Sequence, residues 1–147
     1  KYGYGLYFAD LEETAVYYAR ELSIGALRNK GFNLYTVRIY NLNEFYQWED
    51  PIPDDAAYCV MRKLAKMGKT DDAELMMKEY EEYQTFWSIE STYSILLHIL
   101  GSAKETSQFL NICGITGVIA QSPAHSGNVY VVYDDDNIKI VDVQKLK

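Results

Sequence analysis

The chain has 147 residues, 48% of them hydrophobic and 24% charged. That is the balance of one folded domain with room for a sizeable core. Fourteen basic residues against 21 acidic ones leave a net charge of −7, which argues against a nucleic-acid binder dependent on Lys and Arg. No apolar run reaches the roughly 18 residues of a membrane-spanning helix. Cys59 and Cys113 stand far apart with no CxxC pairing. They read as reduced, buried thiols of a cytoplasmic protein, and no set of His and Cys has zinc spacing.

The chain opens on Lys1-Tyr2-Gly3-Tyr4-Gly5, with neither an initiator Met nor a signal peptide. It reads as the interior of a longer polypeptide. Gly5 to Ala9 is a short apolar strand. Leu11, Ala15, Tyr18, Leu22 and Ala26 recur at spacings of three and four, which predicts a helix to about Asn29 ended by Gly31. Asp10 is placed to cap it, with Glu13 completing the start. Asn33 to Leu42 alternates as a strand does. Trp48 to Pro53 is a turn, since Pro51 and Pro53 disfavour helix before them.

From Asp54 to Gly101 the pattern is helical. Ala57, Val60, Met61, Leu64 and Met67 make one stripe. Ala73, Met76, Met77, Tyr80 and Tyr83 make a second, and Ile89, Tyr93, Leu96, Leu97 and Leu100 a third. The methionines read as adaptable core filler. A short helix runs from Ala103 to Cys113. Strands follow over Ile115 to Ala120, Val129 to Tyr133 and Ile138 to Val143. The middle one, apolar on both faces, belongs inside a sheet. Asp134 to Asn137 is a turn. The class is α+β, one domain over 1–147 with a helical block inserted at about 54–101. Tyrosine is over-used, at 14 residues, and five crowd the first 18 positions. Its ring has a broad apolar face and one polar handle, which suits a core or a pocket for a flat polar ring.

Three segments, in order, resemble the ADP-ribosyltransferase fold. Gly3-Tyr4-Gly5-Leu6-Tyr7-Phe8-Ala9-Asp10, with Tyr17-Tyr18 on the following helix, is similar to the GxGxYFAD segment of the diphtheria-toxin and poly(ADP-ribose) polymerase class. Gly114-Ile115-Thr116-Gly117-Val118-Ile119 resembles a glycine-bearing strand of bacterial and phage members. Asn128 to Asp134, running into Ile138-Lys139-Ile140, resembles the end of such domains in polyvalent proteins of phages and mobile elements. Softer likenesses lie at Asn33 to Val37, Trp48 to Pro51 and Leu100 to Ser107.

The resemblance implies a split β-sheet core and transfer of ADP-ribose from NAD to a protein acceptor by a phage or mobile-element effector. Loss of nicotinamide leaves an oxocarbenium-like ribose. Aromatic faces attract the cationic ring, and a carboxylate stabilises the developing charge. Tyr7 falls on the family's catalytic tyrosine and Tyr18 on the second aromatic of the nicotinamide sandwich, with Tyr17 the alternative if the helix register slips. Gly3 and Gly5 would let backbone approach the cofactor.

The family's histidine strand would precede Lys1, and neither His98 nor His125 takes its place. The family's glutamate position reads Val129, with Asn128 beside it as the residue able to hold a ribose hydroxyl. Glu49, Asp50 and Asp134 are candidate replacement acids, and Arg20, Arg28 and Arg38 candidate partners for the diphosphate. Three rivals stand beside the transferase. One is an inactive module of the same fold that binds NAD, ADP-ribose or a protein. Another is an acidic interaction protein, which scattered acids would remove and a long stripe would favour. A Ser or Cys hydrolase has little support, because no GxSxG is present.

Overall fold

The computed structural model describes residues 2–22, 31–83, 87–122 and 127–146. In chain order these form β1 (Leu6–Ala9), α1 (Glu12–Leu22), β2 (Phe32–Ile39), a 3-10 turn (Leu42–Glu44) and β3 (Tyr46–Gln47). Four helices follow: α2 (Asp54–Lys66), α3 (Thr70–Tyr83), α4 (Ile89–Leu100) and α5 (Ala103–Ile112). Then come β4 (Gly117–Gln121), β5 (Asn128–Val132), a 3-10 turn (Asp135–Asn137) and β6 (Ile138–Leu146). The class is α+β, as the alternation of patterns predicts. Ala26 and Arg28 lie outside the described residues, as does His125.

Two sheets form. The larger has the order β1-β5-β4-β3, and β2 pairs with β6 in the smaller. β5 therefore sits inside its sheet, as its two apolar faces require. β1 and β4 pair with it antiparallel, and β3 pairs with β4 in parallel. The β2–β6 ribbon is antiparallel, with a bulge between Thr36 and Val37.

One face of the larger sheet carries Val118, Ala120, Val129 and Val131. It joins the helical block in one apolar core with Val60, Met61, Leu64, Ile89, Leu96 and Leu110. Period-two alternation brings these strand residues to one side. The predicted stripes of α2, α3 and α4 supply the rest. Two stripe members depart: Met67 is exposed because α2 ends at Lys66, and Tyr83 is exposed at the end of α3. Trp48 is buried, edge-on to Tyr2 and tilted against Tyr93.

Local chemistry sets the boundaries. Ser88 caps α4, its side chain accepting from the Ser91 N–H while the Ser91 hydroxyl accepts from the Ser88 N–H. Ser102 caps α5 through the Glu105 N–H. Acids occupy the first turn of all five described helices: Glu12 and Glu13, Asp54 and Asp55, Asp71 and Asp72, Glu90, and Glu105. There they complement the positive ends of the helix dipoles. Eight of the 21 acids are thus spread over five helix starts. Among the described residues no helix is long and apolar enough to cross a membrane.

Candidate functional site

The end of β1, the first turns of α1 and the length of β2 enclose a cleft of about 980 Å³. That is at the upper end of small-molecule pockets, which run to roughly 1,000 Å³. Its walls are aromatic: Tyr7 and Phe8 from β1, Tyr18 from α1, Tyr35 from β2 and Tyr130 from β5. The charged residues among its described lining are Asp10 and Glu12.

Tyr7 is 43% exposed and lines the cleft. Its hydroxyl turns back onto its own chain, donating to the Gly3 carbonyl (2.5 Å) and accepting from the Tyr2 N–H (3.1 Å). The Tyr133 hydroxyl donates to the Tyr2 carbonyl (2.6 Å), and the Tyr4 N–H donates to Ser107 Oγ (2.8 Å). These bonds lash the opening segment to β5 and α5. Partial burial raises the Tyr7 pKa; the Tyr2 N–H opposes the shift, while the neighbouring Tyr93 and Tyr2 add to it. Tyr7 therefore carries a proton at neutral pH.

Tyr18 is half-buried, lines the same cleft and shares a hydrogen bond with Ser122 Oγ (3.3 Å). Tyr17 meets it edge-on at 5.6 Å and lies outside the lining. The register that places Tyr18 inward is the one the structure adopts.

Gly3 and Gly5 stand elsewhere. A Cβ on Gly5 would come within 2.6 Å of the Val132 carbonyl, and one on Gly3 within 2.7 Å of Ser107 Oγ. Both glycines let β1 and its lead-in close on β5 and α5. Neither lines the cleft, so the backbone they admit is the protein's own.

Asn128 is half-buried and also outside the lining. Its backbone N–H donates to Asp10 Oδ1 (3.0 Å), and its carbonyl accepts from the Asp10 N–H (3.2 Å). Gly127 leaves room for that carboxylate: a Cβ there would sit 2.4 Å from Asp10 Oδ1. Asp10, read from the sequence as a helix cap, stands two residues before α1 begins at Glu12 and ties the end of β1 to β5. Val129 is buried in the core and reaches the cleft with no polar atom to offer.

The other charged candidates lie outside the lining. Glu49 is exposed, and Asp50 accepts from the Gln47 N–H. Asp134 accepts from the Asp136 N–H in a turn where three carboxylates fall within 4.8 Å of one another. Arg20 and Arg38 are exposed and do not line the cleft. His98 is exposed on α4.

The acids of the cleft were missed in the sequence because Asp10 and Glu12 look like ordinary helix-start residues. They share the lining with β2 residues that are distant in sequence. The two cysteines are a second surprise. Both are free thiols; Cys113 is buried, and Cys59 is its hydrogen-bond partner. Burial first, and then that bond, push the Cys113 thiol up to about 12. Comparison with protein-family models, curated proteins and solved structures gives no match.

Proposed function

We propose that the chain is an ADP-ribosyltransferase-like domain that takes NAD in this cleft and passes ADP-ribose to a protein acceptor. In this reading the acceptor is a bacterial protein, and the chain acts as a phage or mobile-element effector. One observation carries the proposal: Tyr7 and Tyr18, singled out by motif, line one open cleft and are not sealed in the core.

The lining suits the nicotinamide end of NAD. Tyrosine and phenylalanine faces attract a flat cationic ring. Asp10 and Glu12 supply negative potential where positive charge develops on the ribose as the ring departs. Asp10 is held by Asn128 and serves as the fixed charge. Glu12 is exposed on the first turn of α1 and is the residue assigned to charge stabilisation. Asn128 acts at one remove, by positioning Asp10. The described lining offers no Lys or Arg to a diphosphate, so the ring and its ribose are the parts of NAD it fits.

A second reading has its own support. Val129 stands where the resemblance calls for a glutamate, which favours a module that binds without turnover. Incubation with labelled NAD separates the two. The transferase reading expects nicotinamide release and label on protein. Glu12→Gln should then lower turnover by about 10²–10³ while NAD affinity holds. Calorimetric binding without release would favour the module, and neither binding nor release would overturn both.

A further inference from the structure

The chain has two cysteines, and the fold brings them together. Cys59 lies within α2, and Cys113 caps the C-terminal end of α5. Cys113 belongs to the apolar core, and Cys59 packs against that core partly buried. Both are free thiols, joined by a hydrogen bond. Burial first, and then that bond, hold the proton on Cys113; the Lys63 and Arg62 charges oppose them. Cys113 is therefore the donor and the Cys59 sulfur the acceptor. Neither residue lines the cleft.

The two thiols differ in access. Cys59 is half-buried, whereas Cys113 is 8% exposed. The pair lies at the rim of the core and not at its centre, since Ile112 and Gly114 on either side of Cys113 are both exposed. A small oxidant can thus reach Cys59, and a second sulfur stands directly behind it. Arg62 and Lys63 follow Cys59 by three and four residues, on the same side of α2. Cationic side chains beside a thiol pair favour the thiolate, which is the reactive form.

We propose that Cys59 and Cys113 form a redox modification site: a peroxide oxidises the pair to an intramolecular disulfide that fastens α2 to the end of α5. Cys59 gives its proton to water and attacks one peroxide oxygen. The S–O bond forms, the O–O bond breaks and hydroxide leaves, so sulfur is oxidised and peroxide reduced by two electrons. The Cys113 sulfur then attacks the Cys59 sulfur. The S–S bond forms, the S–O bond breaks, and the hydroxyl leaves with the Cys113 proton as water. A thiol reductant reverses the change. The closed loop holds all of α3, α4 and α5, and cross-links over long loops remove much freedom from the unfolded chain.

The test treats the reduced full chain with hydrogen peroxide. Intact mass should fall by two hydrogen atoms, and thiol titration of the denatured product should find neither thiol. The product should run as a monomer without reductant, and dithiothreitol should restore both thiols. The oxidised form should melt about 5–15 °C above the reduced one. Cys113→Ser, treated in the presence of dimedone, should carry one dimedone at Cys59, the mark of a sulfenic acid with no resolving partner. Cys59→Ser should keep its Cys113 thiol through the same treatment.

The proposal is overturned if both thiols survive, if oxidation only adds oxygen atoms to the mass, or if the disulfide joins two chains. It is also overturned if dithiothreitol fails to restore the thiols, or if the oxidised form melts no higher than the reduced one. Loss of the Cys113 thiol in Cys59→Ser at the rate of the unsubstituted chain would contradict the order of attack and overturn it too. Should Cys113→Ser fail to fold, the mass of the unsubstituted chain and Cys59→Ser decide. NAD enters none of these readouts, so failure of the transferase reading leaves this one standing.

Discussion

β5 borders two regions built on opposite terms. On one side Val131 packs against the helical block, where Val60, Leu64, Ile89, Leu96 and Leu110 are fully buried. On the other side Tyr130 joins a cleft whose walls are half-exposed aromatics with two carboxylates. The first region is held by apolar burial. The second is held by side-chain-to-backbone hydrogen bonds at its margin: Tyr7 hydroxyl to Gly3 carbonyl, Tyr133 hydroxyl to Tyr2 carbonyl, and Asn128 N–H to Asp10 carboxylate. Stability belongs to the core, and the proposed function places ligand recognition on a surface the core leaves open.

Substitutions can break this division. Leu96→Ala should have the largest effect, about 2–5 kcal/mol of stability lost from lost contacts and the cavity left behind. Denaturant unfolding checks it, and NAD affinity of the folded fraction should be unchanged. A smaller effect comes from alkali. The Cys113 thiol is pushed up to about 12 from an ordinary 9, and the Tyr80 hydroxyl up to about 12 from 10. For Tyr80 burial is the main cause, and its hydrogen bond to Asp54 adds to it.

Both groups keep their protons in the fold at a pH where the unfolded chain releases them. The stability they confer is therefore whole below about pH 9 and falls as pH rises toward 12. Thermal melts from pH 7 to 11 should show the decline, and Cys113→Ala should flatten it. The smallest effect on stability is expected of Glu12→Gln, within about 0.5 kcal/mol, because the residue is exposed. Its consequence for NAD should lie in turnover and not in affinity. A large loss of Tm there would erase the contrast between the regions.

The helical block was legible because burial leaves a period in the sequence. Val60, Leu64, Leu96 and Tyr93 fall on the predicted stripes and are buried. β3 left no such trace: two residues pairing in parallel with a distant strand have no periodicity. The predicted strand to Leu42 ends at Ile39, because Asn41 adopts left-handed backbone (φ 57°) and opens a 3-10 turn. In the cleft, Tyr7 and Tyr18 were found by motif. Gly3 and Gly5, singled out by the same motif, lie outside the cleft, against Ser107 and Val132. The Cys59–Cys113 contact and the carboxylate wall of Asp10 and Glu12 arise from tertiary approach, which no local pattern encodes.

The central claim is that ligands enter between β1, α1 and β2. Ring-labelled tyrosine resonances, followed by NMR as NAD is added, test it most directly. The account predicts saturable shifts at Tyr7, Tyr18 and Tyr130, with Tyr80 in the helical core unmoved. Shifts confined to Tyr58, Tyr80 and Tyr83, or none at any tyrosine at saturating NAD, would contradict it.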